Sequence, residues 1–313
     1  MTIPQVYTAP FWVYNNPNKK EARHDLYPVS PAMPYRPRDI PRFLRPWRRN
    51  AHCPDRTPSV GGTADLRNPG HRGRLFSGCT LRCIYCQNSE ISHTGAGRAF
   101  TPRELSDALK RLTDLGVQSL SLITGTPFVP RILDALELWR PPLPIIWNTS
   151  GYETVETLHM LEGVVDVFLP DLKHYSSRTA QLCAKAPDYF EAASAAIREM
   201  CRITGPNRFS EDGILLRGVL IRHLILPGLT GESMKLLTWV KDNLPFGTPV
   251  SLMRQYIPAA GVSVPGLMRK VTEKEYRRVR DHMLALDLPG FFQEKDSAEE
   301  EYIPVFNQPE SFI

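Results

Sequence analysis

No stretch of this chain approaches a membrane span. Its longest apolar run, 214–229, is interrupted by Arg217, Arg222 and His223, whereas a spanning helix needs ~18 or more uncharged apolar residues. The first thirty residues hold no apolar core of a secretory signal. Cysteine is sparse, six in 313 residues, which argues against a disulfide-stapled secreted scaffold and for a reducing, cytoplasmic setting. A basic excess is missing from most of the chain. Residues 1–70 hold eleven Lys+Arg against five Asp+Glu, and the remainder 27 against 28, so the whole net charge of +5 sits in the first 70 residues. The pI near 8.9 therefore says little about the folded body, and nucleic acid is not expected as a partner.

What is present is an ordinary core-forming composition, 42% hydrophobic and 23% charged, of a length that suits one large domain or two modest ones. Residues 1–70 carry twelve of the 29 prolines. Proline at that density blocks helix and ladder alike. The reading is an irregular Pro-rich, basic N-terminal arm that adds no strand to the body. Its prolines and its acids Glu21, Asp25 and Asp39 also count against a mitochondrial presequence.

From residue 71 the pattern changes. Apolar runs at 74–77, 119–124, 144–148, 164–169, 215–226 and 250–255 alternate with helical segments. Thr101-Pro102-Arg103-Glu104 is a capping box with proline in the first turn, opening a helix to about Gly116. Further helices are expected over 128–138, 153–161, 187–204 and 233–243, and a second capping box, Thr272 with Glu275, starts the last one. Six strands alternating with helices mean parallel βαβ units, either doubly wound or curled into a barrel. In both, chemistry gathers at the C-terminal strand ends. The expected division is 1–70 arm, 71–261 core, and 262–313 a C-terminal helix and acidic tail packing on the core.

The first core strand runs into Gly78-Cys79-Thr-Leu-Arg-Cys83-Ile-Tyr-Cys86. Three thiols within eight residues can wrap one soft metal centre. Structural zinc wants four ligands, and no second knuckle is visible. Disulfides would leave one thiol over. A [4Fe–4S] cluster held by three cysteines keeps one iron open to a ligand. Cys201 lies on the apolar stripe of its helix and reads as core, while Cys53 and Cys183 stand alone, so no auxiliary cluster is expected.

The CxxxCxxC spacing with an aromatic before the last cysteine resembles the radical S-adenosylmethionine (SAM) enzymes. Over about 72–293 the likeness is closest to the pyruvate formate-lyase-activating-enzyme-like branch. It is carried by FSGCTLRCIYCQNSEIS, IIWNTSGYE, VDVFLPDLKHY, APDYFEAASAAIREM, LIRHLILPG and SLMRQYIPAAG. The resemblance implies an α/β partial TIM barrel of about six βα units. It implies that Cys79, Cys83 and Cys86 bind a [4Fe–4S] cluster and that SAM chelates the open iron. It also implies reductive cleavage to a 5′-deoxyadenosyl radical that takes hydrogen from a substrate. Such chemistry needs a low-potential one-electron donor. Its substrate is a protein, with the glycine of a glycyl radical enzyme as one candidate, or a small molecule or peptide. A non-catalytic Fe–S binding protein is the remaining alternative.

Against that pattern, Tyr85 takes the aromatic position beside adenine, or else packs under the loop. Thr124, Gly125 and Thr126 stand where relatives often carry a Gly-Gly-Glu-like segment that meets the SAM amino group. With no carboxylate there, backbone carbonyls and a threonine hydroxyl must accept instead. Asn148, with Thr149 and Ser150, ends the third strand within reach of ribose or carboxylate oxygens. Asp171 and Lys173 share one face at the end of the fourth by the period of two. Of the adjacent pair Arg222 and His223, Arg222 is expected to face the interior and meet an anionic group. Arg254, Gln255 and Tyr256 are expected to face substrate. Of the extra cysteines and the Asn-Arg-rich segment that relatives often carry ahead of the motif, only Cys53-Pro54 remains.

Overall fold

The computed structural model describes residues 59–64, 71–95, 97–211, 213–259 and 262–293. The rest of the arm, including Cys53, and the acidic tail beyond Gln293 lie outside the described residues.

The chain begins with β1 (Ser59–Ala64) and β2 (His71–Phe76), followed by the short α1 (Ser89–Ser92) and β3 (Arg98–Ala99). From there strands and helices alternate. They are α2 (Pro102–Asp114), β4 (Ser119–Ile123), α3 (Val129–Leu138), β5 (Ile145–Thr149), α4 (Val155–Leu161), β6 (Val167–Pro170), α5 (Ser177–Ala184) and α6 (Tyr189–Thr204). The second half adds β7 (Arg208–Phe209), β8 (Leu215–Val219), β9 (Ile221–Leu224), α7 (Thr230–Asn243), β10 (Val250–Met253), α8 (Glu273–Ala285) and β11 (Gly290–Phe292).

Both expected capping boxes are made. Thr101 and Thr272 accept from the backbone N–H three residues on, and Glu104 and Glu275 reach back. The strands β2, β4, β5, β6 and β8 pair in parallel in that order, and β9, β10 and β11 form a second parallel group. A parallel bridge from Asp171 to Arg222 joins the groups, and Leu172 N–H donates to the Arg222 carbonyl at 2.9 Å. The result is one curved sheet with helices outside, the partial TIM barrel that the sequence led us to expect. Among the described residues the edge strands are β3, β11 and β7, the last paired antiparallel with β8, and none of them pairs with another edge.

Three expectations need correction. The segment 1–70 does contribute a strand, since β1 pairs antiparallel with β2 and is flanked by β3. Ser59–Ala64 is proline-free between Pro58 and Pro69, so the proline density of the whole arm masked a short stretch that can cover the β2 edge. The run 215–226 is not one strand. Asn207 bonds both the N–H and the C=O of Val219 (2.8 and 3.0 Å), and the ladder breaks at Leu220 between β8 and β9. The third concerns the end of β10, where Arg254 and Tyr256 are taken up by contacts within the fold. Arg254 pairs with Glu273 of α8 at 3.0 Å and lies over the Tyr276 ring, and the buried Tyr256 hydroxyl donates to the Leu267 carbonyl. Gln255 accepts from Gln293 at 2.9 Å.

Candidate functional site

The loop leaving β2 carries Cys79, Cys83 and Cys86, all free thiols. It is clamped on two sides. Gly78 and Cys79 donate backbone N–H bonds to Ile91 and Ser92 of α1 (3.1 and 3.0 Å). Arg82 and Ile84 donate to the Ala184 and Cys183 carbonyls at the end of α5 (3.1 and 2.9 Å). Those carbonyls are among the unsatisfied acceptors a helix C-terminus always presents, so α5 serves as a docking post for the loop. Leu81 and Tyr85 are buried beneath it. The Tyr85 hydroxyl shares a 3.1 Å hydrogen bond with His174, and its ring packs edge-on against His174 and Tyr256.

Burial disfavours the thiolate form of two of these sulfurs. Burial pushes the Cys83 thiol up to about 12 and raises Cys79, although Leu81 N–H donates to the Cys79 sulfur at 3.4 Å and Lys173 also acts to lower it. Thiols so placed become thiolates by binding a cation. Among the described residues no three His, Cys, Asp or Glu are gathered closely enough for a single metal ion. Three thiols on one loop, with no fourth on that loop, match the ligand set of a [4Fe–4S] cluster that leaves one iron open. The donor set fits the cluster.

Asp171 and Lys173, just past β6, meet Arg222, the second residue of β9. Arg222 bonds Asp171 at 2.7 Å, and Lys173 bonds the other Asp171 oxygen. Burial acts to raise the Asp171 carboxyl, but Arg222 and Lys173 outweigh it and hold it below the usual range. Burial acts to lower Lys173, but Asp171 and then Cys83 outweigh it and hold the ammonium above its usual range. The same lysine lies within electrostatic reach of Cys79 and Cys83. One acid between two cations leaves a net positive charge facing the cysteine loop. His223 is turned to the other face, donating from Nδ1 to the Leu172 carbonyl at 2.6 Å, as the alternation requires. His174, buried beside Lys173, is driven down to about 3 and stays neutral.

The middle of the mouth is built by β4 and β5. Thr124 stands at φ 61°, outside the range β-branched residues favour, and its N–H donates to the Asn148 carbonyl at 2.9 Å. A Cβ on Gly125 would lie 2.6 Å from the Trp147 ring, so only glycine fits there. Asn148 is buried on the face of β5 opposite Trp147 and Thr149. Gly151 (φ 77°) brings the β5 exit against the Asp171 carbonyl. The buried Tyr189 of α6 ties the same exit down. Its single hydroxyl proton is shared between the Ser150 and Asp171 carbonyls (2.8 and 2.7 Å), and the oxygen accepts Lys173 N–H at 3.1 Å.

The sequence model of the radical SAM superfamily matches residues 74–240, a span that holds the cysteine loop and all of β4 through β9. The chain belongs to the radical SAM superfamily. Its cofactors are accordingly a [4Fe–4S] cluster and SAM. An uncharacterized protein of Methanocaldococcus jannaschii is 27% identical over 217 residues, 65% of this chain and 59% of that one. A 7-carboxy-7-deazaguanine synthase of Methanothermobacter thermautotrophicus is 37% identical over 104 residues, 32% of this chain and 42% of that one. The chain thus spans 59% and 42% of the lengths of these curated relatives. A radical SAM methyltransferase from Sphaerobacter thermophilus shares the fold, with a TM-score of 0.50 and 15% identity over 72% of this chain and 67% of that one. Among the described residues no helix is long and apolar enough to cross a membrane.

Sequence reading expected Asp171, Lys173 and Arg222 at one mouth, and the structure brings the three side chains into contact. It missed α5, Tyr189 and Glu153. Glu153 is a buried carboxylate that accepts from Thr126 (2.7 Å), from Trp147 (3.4 Å) and from Thr149. No period marks such a residue, because its partners lie on other elements.

Proposed function

We propose that Cys79, Cys83 and Cys86 bind the cluster. In this reading the mouth formed by Thr124, Gly125, Thr126, Asn148, Asp171, Lys173 and Arg222 binds SAM, with Tyr85 setting the height of the loop from below. The enzyme then abstracts hydrogen from a protein partner, the glycine of a glycyl radical enzyme being the target class. The observation that carries the reading is Lys173, which bonds Asp171 and lies within electrostatic reach of the cysteine loop. When bound, cluster and SAM together supply a low-potential electron and a sulfonium whose cleavage releases methionine and a carbon radical able to take hydrogen. The residues bind and orient. Lys173 and Arg222 meet the SAM carboxylate with charge-assisted bonds. Asp171 holds both cations in place, and the buried ring of Tyr85 with the apolar wall behind it keeps water from beneath the loop.

The assignment to the pyruvate formate-lyase-activating-enzyme-like branch rests on the sequence segments quoted above. The protein-substrate reading is supported by the same segments. A small-molecule substrate is the second reading, favoured by the local likeness to the deazaguanine synthase. Anaerobic protein given SAM and dithionite, with and without a glycyl radical enzyme, separates them. The first reading predicts a stable carbon radical on the partner and 5′-deoxyadenosine in matching amount. The second predicts 5′-deoxyadenosine that rises only with a small substrate. SAM binding without any 5′-deoxyadenosine would mark a non-catalytic Fe–S protein.

A further inference from the structure

Glu153 lies between the β5 exit and Thr154, the N-cap of α4. It is 5% exposed. A single oxygen, Oε1, gathers donors from two neighbouring strand ends. These are the Thr126 hydroxyl in the turn after β4, and the Trp147 ring N–H and Thr149 hydroxyl of β5. The other oxygen, Oε2, is buried with no partner among the described residues. Burial raises this carboxyl above its usual range in spite of the three donors. A half-satisfied buried acid is costly and calls for an explanation beyond stability.

The explanation lies in what it does to Thr126. A hydroxyl has one proton to give, and the Thr126 proton is committed to Glu153. What remains on Thr126 is acceptor capacity alone. The Thr149 hydroxyl is bound in the same way, but its oxygen already accepts Gly151 N–H at 3.2 Å. The Thr126 oxygen makes no second bond among the described residues and is only half-buried at the mouth. The turn that carries it is fixed by Thr124 in the left-handed region and by Gly125 against Trp147. A strained non-glycine residue persists where its surroundings over-determine it. The mouth is also polarised. The Glu153 carboxyl lies on the β4–β5 side, and the net positive charge of Asp171, Lys173 and Arg222 lies on the β6–β9 side. A zwitterionic amino acid end, with its ammonium toward the first and its carboxylate toward the second, matches that polarity.

We propose that Glu153 is a positioning residue for SAM. It holds the Thr126 hydroxyl as a fixed acceptor for the N–H groups of the SAM amino end, so that the loop after β5 supplies the carboxylate that the β4 turn lacks. The inference rests on the reading that SAM lies across this mouth.

The test uses the iron-loaded, reduced enzyme, titrated with SAM and with the SAM analogue that lacks the amino group, and followed by the electron paramagnetic resonance signal of the cluster. Thr126→Val and Glu153→Leu should each weaken SAM about tenfold or more, the loss expected for one hydrogen bond to a charged group. Both should bind the desamino analogue as the wild type does. Thr126→Ser should restore affinity, and the double variant Thr126→Val/Glu153→Leu should be no weaker than the worse single one. If Glu153→Leu fails to load iron, Glu153→Gln takes its place. That variant keeps an acceptor oxygen and should give a smaller, same-direction loss. Wild-type SAM affinity in Thr126→Val, or equal losses for SAM and the desamino analogue, would overturn the role of Glu153 alone. A wild type that binds no SAM would overturn the reading of the mouth itself.

Discussion

Asp171 sits between two cations, and each of the three side chains is mostly buried. Removing one member has unequal consequences. Arg222→Ala leaves a neutral Asp171–Lys173 pair with nothing to spare for a carboxylate. Asp171→Ala leaves two like charges facing each other with no acid between. Each should weaken SAM by roughly ten- to a hundredfold, the range of a lost charge-assisted bond, with iron content near normal. Asp171→Ala should also lower the thermal midpoint more than Arg222→Ala does, because an uncompensated buried charge is the costlier defect. Titration of SAM against the cluster signal, with melting curves on the same samples, checks both. These three residues were legible because a strand's period of two fixes faces once its end is located. Glu153 and Tyr189 were not. Glu153 turns back on Trp147 and Thr149 of the strand before it and reaches Thr126, 27 residues away, while Tyr189 bonds groups 16 to 39 residues away, and no period in the residues around them encodes either approach. Arg254 and Tyr256 fail for the opposite reason. Their strand end was found, but α8 and the residues after β10 cover it.

Helix ends follow local chemistry, and the sequence marks them well. The capping boxes at Thr101 and Thr272 start α2 and α8 where expected. Glu275 does more than cap. It also takes Arg269 in a two-pronged pair (2.7 and 2.8 Å) and the Gly228 N–H at 2.7 Å. Arg269 first, then the Thr272 and Gly228 N–H groups, hold its carboxyl well below the usual range. A folded-state value below the unfolded one means that the stabilisation is complete above the unfolded pKa, about 4.3, and fades as the pH falls through the folded value. Glu275→Gln should therefore cost about 1 kcal/mol at pH 7, a modest figure because Arg269 is half exposed. The gap to wild type should narrow steadily in urea unfolding below pH 4. The eight-residue α5 was invisible to periodicity because it buries only Ala180, Cys183 and Ala184 and shows no large apolar stripe. Its N-cap, Ser176, accepts from Thr179 N–H and bonds Glu232 of α7. Ser176→Ala should cost about 1 kcal/mol. Because the last carbonyls of α5 hold the cysteine loop, it should also speed loss of iron during anaerobic gel filtration, while the distant Thr101→Ala should not. The three-residue β11 and the β8–β9 break lie below what a period can reveal, since each is decided by a neighbouring strand or by the Asn207 side chain.

At the scale of the molecule, alternating strands and helices left a doubly wound sheet and a barrel both open, and the resemblance carried by the cysteine loop and its companion segments pointed to the partial barrel. What alternation could not supply is how the sheet is bordered, including the antiparallel β1 that covers the β2 edge. Residues 74–240 carry the superfamily match, and every side chain assigned to cluster or SAM lies within them. The central claim is that this span folds one mouth in which the thiolates of Cys79, Cys83 and Cys86 and the charges of Asp171, Lys173 and Arg222 serve a single reaction. The most direct test is the yield of 5′-deoxyadenosine from SAM and dithionite, measured on anaerobically reconstituted protein whose metal content is counted in the same sample. The account predicts about four irons per chain and 5′-deoxyadenosine formed by the wild type, with both lost in Cys83→Ser. Tightly bound zinc in place of iron, or four irons with SAM bound and no 5′-deoxyadenosine, would contradict it.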